Sequence, residues 1–410
     1  MKLKLISREQ GAFERAFAAQ IADFKSVYPD VEIECTFLPI HDHYTKMVEN
    51  RGCQSDEFDL FLCCTDWLPG IMADESISPL DEMMESNPPH DWPNGWHKAM
   101  LGLQQRGGKV YGMPWHDGPQ VFHYRRDLFE DATEQENFLH KFGRELRPPQ
   151  DWAEFIEVAQ FFTRPDEGLW GCCEAGFTDG HNNVYDFLIH LWSRGGVLLD
   201  ENKVPCFDSA AGVEALQFYV DLFHKHKVAS LDCLDLGSVE CGNYYAQGNA
   251  AMMWNWCGFA AVCEMPEYSK IVGKNACTGM PAGSAGAISL NIYWVLTIPS
   301  GSKNKELAYK FLQHISSART DKITSMCGAN GVRLSTWNDP EVVAKYPYYS
   351  IIADVHANTR TLPAIPEYPE INEAISRAVH RALHLEMSCE ESLRMAVEET
   401  REILSVRTSA

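Results

Sequence analysis

The stretch from Gly107 to Asp131 reads GGKVYGMPWHDGPQVFHYRRDLFED, and the rest of the chain is interpreted outward from it. Val110–Met113 follows a Gly-Gly turn and is short and apolar, which predicts a buried strand that Pro114 ends. A second strand is predicted over Val121–Tyr124. Residues 115–120 between them place an indole, a titratable ring, a carboxylate and an amide on an irregular backbone. Such a segment is typical of a crossing between two lobes, although a surface β-turn with a chance Trp fits the same residues.

Composition restricts the class of protein. The chain has 410 residues, 45% of them hydrophobic, which is enough for two or three packed domains. Its 35 basic and 57 acidic residues give a formal charge of −22, which disfavours binding to nucleic acid or to an anionic membrane surface.

The N-terminus and the cysteines indicate the cellular compartment of the chain. No apolar run approaches the ~18 residues of a membrane span, and residues 1–6 lack the apolar region of a secretory signal, so we expect a soluble chain that is not addressed for export. The 14 cysteines include vicinal pairs and no C-x-x-C spacing, which favours reduced, buried thiols.

The first 64 residues predict a β-α-β opening followed by a third strand. Leu3–Ile6 reads as a strand, and Ser7 and Gln10 have the spacing of a capping box for the next helix. That helix carries an apolar stripe of Phe13, Phe17, Ile21 and Phe24. The next strands are predicted over Val31–Leu38 and Phe58–Cys64, and the opening implies parallel pairing with a right-handed crossover.

Two strand ends carry candidate ligand-binding residues. Asp66 and Trp67 follow the third strand, where ligands lie in open α/β sheets, although a helix-capping Asp and a core Trp would fit as well. The segment Tyr244–Trp256 predicts a helix end and then a strand on which Trp254 and Trp256 share a face. These rings either form a stacking wall or pack under a helix, and packing is favoured for Trp254, which lies deeper in the strand.

Catalytic and metal-binding signatures are absent from the sequence. None of G-x-S-x-G, H-E-x-x-H, G-x-x-x-x-G-K-[ST] or G-x-G-x-x-G occurs. His41/His43, His224/His226 and His380/His384 each lack a third ligand nearby, so we expect no metal site, no cofactor and no catalytic residue. A glycosidase-like pair of carboxylates stays open as an alternative, because sequence does not give the separation between them.

Seven segments in order resemble family 1 extracellular solute-binding proteins, the maltose-binding-protein-like group that serves ABC sugar importers. They are DLFLCCTDWLPGIMADESISPLDE (59–82), GGKVYGMPWHDGPQVFHYRRDLF (107–129), PPQDWAEFIEVAQFFT (148–163), WSRGGVLLDENK (192–203), SAAGVEALQFYVDLFHK (209–225), YAQGNAAMMWNW (245–256) and IPSGSKNKELAYKFLQHIS (298–316).

The resemblance implies an α/β fold of the two-lobed periplasmic-binding-protein type (type II), with a ligand cleft between the lobes. We expect lobe 1 over 1–113 and 277–319, and lobe 2 over 114–276 and 320–410. The lobes would close on the ligand about crossings near Met113, Cys277 and Thr320.

The resemblance also implies ligand-binding positions, since sugars offer hydroxyls to polar side chains and a C–H face to indole. They are Asp66, Trp67, Trp115, Asp117, Asn183, Asn255, Trp256, Tyr293 and Arg333. Val332 stands where the family often has Pro before the late Arg, which leaves the role of Arg333 open.

The function implied is non-catalytic binding of a mono- or oligosaccharide or a polyol, for delivery to the membrane subunits of an ABC importer. We expect a monomer in the periplasm or at the cell surface. The absent signal segment and the cysteines leave open a cytoplasmic relative, such as an intracellular solute sensor. A glycoside-hydrolase-like enzyme is the other alternative.

Overall fold

The computed structural model describes residues 1–178 and 180–407, and it contains strands distributed over the whole chain. In chain order they are β1 (Lys2–Arg8), β2 (Glu32–Leu38), β3 (Leu60–Cys64), β4 (Gln105–Arg106), β5 (Lys109–Val110), β6 (Gly112–His116), β7 (Gln120–Arg125), β8 (Trp170–Cys172), β9 (Ala250–Trp256), β10 (Asn275–Thr278), β11 (Ser289–Leu290), β12 (Trp294–Thr297) and β13 (Thr359–Arg360).

The α-helices vary from single turns to 19 residues. In chain order they are α1 (Gly11–Val27), α2 (Ile40–Tyr44), α3 (Leu68–Ala73), α4 (Asp81–Ser86), α5 (Arg126–Phe129), α6 (Ala132–Phe142), α7 (Trp152–Phe162), α8 (Asn182–Ser193), α9 (Ala210–His224), α10 (Ser238–Ala246), α11 (Phe259–Cys263), α12 (Lys305–Ile315), α13 (Ala318–Met326), α14 (Leu334–Trp337), α15 (Pro340–Lys345), α16 (Tyr349–Ala357), α17 (Tyr368–Leu383) and α18 (Cys389–Arg407).

The chain divides into two compact units that do not follow the expected lobe boundaries. Unit 1 comprises Met1–Pro119, Asn291–Ala357 and Ala364–Pro366, and unit 2 comprises Gln120–Leu290, Asn358–Pro363 and the chain from Glu367 onward. The main boundaries therefore fall after 119, 290 and 357 rather than after 113, 276 and 319. The largest difference is the segment 320–357, which packs with unit 1 because α13 lies against α1.

Unit 1 contains a five-stranded sheet in the order β2-β1-β3-β12-β6. β1 pairs in parallel with both β2 and β3, as the opening predicts, and β12 is antiparallel to β3 and β6. Helix α1 covers this sheet with the buried Phe13, Phe17 and Phe24. The predicted capping box is wrong: Ser7 lies in β1, and Gln10 caps the helix by accepting from the Phe13 amide.

The structure also corrects the interpretation of Pro114. β6 continues through Pro114 to His116, so Trp115 lies in a strand and the irregular segment is only residues 117–119. Proline is tolerated there because β6 is an edge strand, and its register with β12 shifts at this point.

Unit 2 contains a four-stranded sheet in the order β10-β7-β9-β8. β9 is antiparallel to β7 and parallel to β8. Trp254 on β9 is 2% exposed, and its ring centroid lies 5.1 Å from that of Trp152 and 5.2 Å from that of His190. Packing, rather than a stacking wall, is therefore confirmed for Trp254.

Candidate functional site

The carboxyl edge of unit 1 is the edge at which β1, β2, β3 and β6 end and β12 begins. Arg8 ends β1, Asp66 and Trp67 follow β3, His116 ends β6, and Trp294 begins β12. Cys64, Trp294 and His116 face one another across adjacent strands, which brings these ends together. Open α/β sheets bind ligands at this kind of edge.

Trp67 is buried within unit 1 rather than presented at its surface. It is 7% exposed, and its ring lies 5.2 Å from Tyr44, 5.6 Å from His43 and 5.5 Å from Trp294. The apolar surface of the indole is used by these aromatic contacts, so the alternative of a core tryptophan describes this side chain.

Trp115 is also part of the packed interior of unit 1. Its ring stacks on Phe17 at 4.2 Å with an interplanar angle of 4°, and its Nε1 donates to Oε1 of Gln20 at 3.0 Å. Within unit 1 the ring of Trp115 and its N–H are therefore both engaged, and its role in ligand binding stays a prediction.

Tyr293 is fully buried in unit 1. Its hydroxyl donates to Oε1 of Gln104 at 2.6 Å and accepts from the Leu103 amide at 3.2 Å. The hydroxyl therefore holds the segment before β4 against β12, which is a structural role.

Asp117 is 1% exposed and its carboxylate is used inside unit 1. Both oxygens lie 2.9–3.0 Å from Nε2 of His356, and Oδ1 accepts from the Gly118 amide. His356 is itself stacked on Trp337, with an interplanar angle of 3°. This buried pair fixes the segment after β6 to α16.

Arg333 is 1% exposed and is held by the loop before β4. Its guanidinium donates to the backbone oxygens of His90 and Ser316 and pairs with Asp91 at 3.2 Å. Its Cζ lies 4.2 Å from the ring centroid of Trp96. A depression of about 330 Å³ borders this group, also lined by Trp92 and Asn94 among others. Arg333 thus holds a loop of unit 1 through its terminal nitrogens, while its buried Nε has no acceptor among the described residues.

Two polar side chains of this edge are less enclosed. Asp66 is half-buried, and its carboxylate contacts the thiol of Cys64. Arg8 is also half-buried, and its Nε is buried without a hydrogen-bond acceptor among the described residues. Arg8 was missed at the sequence level, although its position directly after a predicted strand is the signal that selected Asp66.

The carboxyl edge of unit 2 is the edge at which β8, β9 and β10 end and β7 begins. Trp256 ends β9 and is half-buried, with its ring 5.9 Å from Tyr185 in an edge-to-face arrangement. Asn255 is buried: its amide donates to the Ser238 carbonyl at 2.9 Å, and its Oδ1 accepts from the Trp256 amide. Asn255 therefore holds the strand end to α10, and Trp256 keeps part of its ring exposed.

Three buried polar residues accompany Trp256 and were missed at the sequence level. Gln120 begins β7 and donates to Oδ1 of Asp186 at 3.2 Å, while its own Oε1 has no donor among the described residues. Glu174 follows β8; its Oε1 accepts from the Trp254 amide, and its Oε2 likewise lacks a described donor. Burial, and then the charge of Asp186, raises the pKa of Glu174 well above its ordinary value. A strand end followed by a carboxylate could have indicated Glu174.

Asn183 lies in the first turn of α8 and is fully buried. Its amide donates to Oγ of Ser376 at 3.1 Å, and its Oδ1 accepts from the Val184 amide. It joins α8 to α17 inside unit 2, so the structure gives it a packing role.

The described part of the chain also bears on metals, membranes and thiols. Within residues 1–178 and 180–407 no group of three or more His, Cys, Asp or Glu side chains is placed to hold a metal ion. No helix in the same ranges combines the length and the apolar character that a membrane crossing needs. No disulfide bond joins two cysteines within the described residues.

Residues 7–322 match the family model described as bacterial extracellular solute-binding protein. The chain belongs to this family. It is 25% identical over 344 residues to a probable ABC transporter-binding protein of Deinococcus radiodurans, covering 82% of this chain and 77% of the relative. It is 21% identical to the mannitol-binding protein of Pseudomonas aeruginosa, covering 92% and 87%.

Solved structures show the same fold. Maltose-bound MalE3 of T. maritima superposes with a TM-score of 0.86 at 25% identity, covering 98% of this chain and 99% of the other. A solute-binding protein of Agrobacterium vitis with bound D-mannitol superposes with a TM-score of 0.83 at 20% identity, covering 99% of each. The expected α/β fold of a two-lobed solute-binding protein is confirmed, and the members of this family are binding proteins rather than enzymes.

Proposed function

We propose that this chain binds a mono- or oligosaccharide or a polyol and delivers it unchanged to an ABC importer. The observation that carries the proposal is the carboxyl edge of unit 2, where the half-buried indole of Trp256 accompanies two buried polar groups, Gln120 and Glu174, that each have an oxygen without a described partner. The exposed part of the Trp256 indole suits the C–H face of a sugar, Oε1 of Gln120 suits a hydroxyl donor, and the Glu174 carboxyl, whose pKa is raised, suits a hydroxyl acceptor. Relatives named for mannitol and arabinooligosaccharides support the same class of ligand.

The ligand contacts that we retain are Trp256, Gln120 and Glu174 in unit 2 and Asp66 and Arg8 in unit 1. Each lies at a carboxyl edge and keeps either exposed surface or unused hydrogen-bonding capacity. Trp67, Trp115, Asp117, Asn183, Asn255, Tyr293 and Arg333 are proposed to support these edges from within their own units.

A thermal-shift screen against sugars and polyols tests the proposal. A ligand that binds only the folded state stabilises it by RT ln(1 + [L]/Kd), which is about 2.7 kcal/mol at 100 Kd. We expect a raised melting temperature with at least one compound, and mass spectrometry should recover that compound unaltered. Hydrolysed product would instead favour the glycoside-hydrolase alternative, and no shift with any sugar or polyol would contradict the proposal.

Hinge closure is part of the proposal and rests on the family. We place the crossings at the main unit boundaries, near Pro119, Leu290 and Ala357, instead of near Met113, Cys277 and Thr320. Small-angle scattering of a monomeric sample should give a smaller radius of gyration with saturating ligand. An unchanged radius would favour a rigid binding protein.

We further propose that the chain acts outside the cytoplasm, as the description of its family states. Cell fractionation followed by immunodetection should place it in the periplasm or on the cell surface. Recovery in the cytosolic fraction alone would favour the alternative of an intracellular solute sensor, and would agree with cysteines that form no disulfide bond within the described residues.

A further inference from the structure

Arg8 is a cation without a described counter-charge at the carboxyl edge of unit 1. It ends β1, which lies between β2 and β3 in the sheet. Its Cζ lies 5.4 Å from the ring centroid of Trp294 and 5.9 Å from that of Phe13. Within residues 1–178 and 180–407 its buried Nε has no acceptor, and no carboxylate is among the groups that shift the pKa of the guanidinium. The aromatic rings hold the guanidinium in place while leaving its donors unused.

The groups packed around Arg8 do not share its charge. Burial, followed by the charge of Arg8, lowers the pKa of His116 to about 3. Burial is likewise the first cause that lowers the pKa of His43 to about 4, with Arg8 contributing. Both rings are therefore neutral at pH 7, and the positive charge at this place belongs to Arg8. The pKa of Arg8 itself is lowered by burial, as expected for a cation whose lost hydration is not replaced by a carboxylate.

We propose that Arg8 binds an oxyanion of the transported solute, so that the ligand is a sugar or polyol that carries a carboxylate or a phosphate. This inference rests on the proposed function and names the class of solute within it. The guanidinium is a planar fork whose paired N–H donors match the two oxygens of such a group. A neutral hydroxyl accepts one hydrogen bond and leaves the charge of a partly buried cation uncompensated, whereas an oxyanion satisfies the donors and the charge together.

The acidic character of the chain does not oppose the binding of an oxyanion at Arg8. The formal charge of −22 is spread over 410 residues, and at physiological ionic strength exposed charges act over a Debye length of about 8 Å. A guanidinium held on aromatic rings at a strand end acts at contact distance. Among the described residues Arg333 is an instructive contrast: it is also held on an indole, but its guanidinium is paired with Asp91 and backbone oxygens.

The test is isothermal titration calorimetry at pH 7.5 with matched ligand sets. Each set has a neutral sugar, its uronate and its 6-phosphate: galactose with galacturonate and galactose 6-phosphate, and glucose with glucuronate and glucose 6-phosphate. The proteins are the full chain, Arg8→Gln, Arg8→Lys and the control Arg15→Gln, which changes an exposed arginine of α1 that donates to the Cys327 carbonyl.

We expect an anionic member of at least one set to bind tenfold or more tightly than its neutral partner. Arg8→Gln should remove that preference, Arg8→Lys should keep part of it, and Arg15→Gln should keep all of it. A preference for the uronate assigns a carboxylate and a preference for the 6-phosphate assigns a phosphate, and each supports the inference.

Two results would overturn the inference while leaving the proposed function intact. In the first, neutral sugars bind tightly, and Arg8→Gln weakens the binding of neutral and anionic ligands equally. The other is a melting temperature of unliganded Arg8→Gln far below that of the parent protein, which would give Arg8 a structural role; we expect it unchanged or raised, because the variant no longer buries an unpaired charge. If neither these ligands nor any neutral sugar or polyol binds, the proposed function itself fails.

Discussion

The carboxyl edges of the two units differ in how far the side chains predicted to bind ligand are already engaged within their own unit. In unit 1, both carboxylate oxygens of Asp117 lie against His356, and the two terminal nitrogens of Arg333 are engaged by Asp91 and by backbone oxygens. In unit 2, Gln120 and Glu174 each keep a buried oxygen without a described donor, beside the half-buried Trp256. Residue type and strand-end position therefore do not suffice to identify a ligand contact, because a side chain binds a ligand only with the capacity that its own fold leaves unused.

The largest expected effect tests whether Trp254 contributes to folding stability rather than to ligand binding at the carboxyl edge of unit 2. Trp254→Ala removes a ring packed against Trp152, Phe155 and His190, and such a core truncation costs ~3–5 kcal/mol of folding stability. Melting curves of the unliganded variant should show this loss. Calorimetric titration well below its melting temperature should give the affinity of the parent protein. A large loss of affinity without a loss of stability would move Trp254 into the binding site.

The second effect tests whether Glu174 is held protonated. Its pKa is raised in the folded state above the ~4.3 of an unfolded Glu, so between these two pKa values unfolding releases a proton. The contribution of Glu174 protonation to the free energy of unfolding is then complete below about pH 4. It is lost at about 1.4 kcal/mol per pH unit as the pH rises toward the folded pKa. Glu174→Gln has no proton to release, so its stability relative to the parent protein should rise as the pH increases from 5, by up to about that slope until the folded pKa is reached.

Denaturant unfolding at pH 5, 6 and 7 measures this difference. Glu214→Gln is the matched control, because Glu214 lies on α9 with 73% of its side chain exposed, and we expect it to leave the pH slope unchanged. Parallel curves for the parent protein and Glu174→Gln would contradict the assignment.

The third effect concerns Trp256, which shares a strand face with Trp254 but lies two residues nearer the strand end. Stacking of a sugar face on the exposed part of its ring would bury ~60–100 Å², worth roughly 1.5–2.5 kcal/mol at ~25 cal/mol per Å². Trp256→Ala should therefore weaken binding by about one to two orders of magnitude with little change in the unliganded melting temperature. Lost stability with unchanged affinity would place Trp256 in the core with Trp254.

These two tryptophans also illustrate what a sequence can predict. The strand β9, its shared face and the deeper burial of Trp254 all follow from an alternating pattern and from position along the strand. The parallel β1/β2 pair follows in the same way from local periodicity. The strands themselves depend on neighbours within a few residues, which the sequence displays directly, and the parallel pairing of β1 with β2 follows from the β-α-β order.

The contacts that engage Asp117 and Trp115 inside unit 1 could not be predicted, because the partners of these side chains are distant in sequence. Asp117 is used by His356, and Trp115 by Phe17 and Gln20, at separations that no local pattern encodes. β6 passes through Pro114 because that strand lies at the edge of its sheet, which is a property of the topology. Glu174 was overlooked for the opposite reason: its strand position was visible, but its unused oxygen depends on how α8 and β9 pack around it.

The smallest expected effect tests Asn183, which the family resemblance places among ligand contacts and the structure places between α8 and α17. Asn183→Ala removes the buried hydrogen bond to Ser376, and such a bond contributes about 1 kcal/mol. The unliganded protein should lose about that much stability while its ligand affinity stays the same. Ser376→Ala is the matched partner, and the double variant should lose less than the sum of the two single changes, because both remove one bond. A tenfold weaker affinity of Asn183→Ala at unchanged stability would return Asn183 to the ligand contacts. A side chain with a hydrogen bond inside its own unit could then still bind ligand, and the comparison of the two edges would have to count such side chains as well.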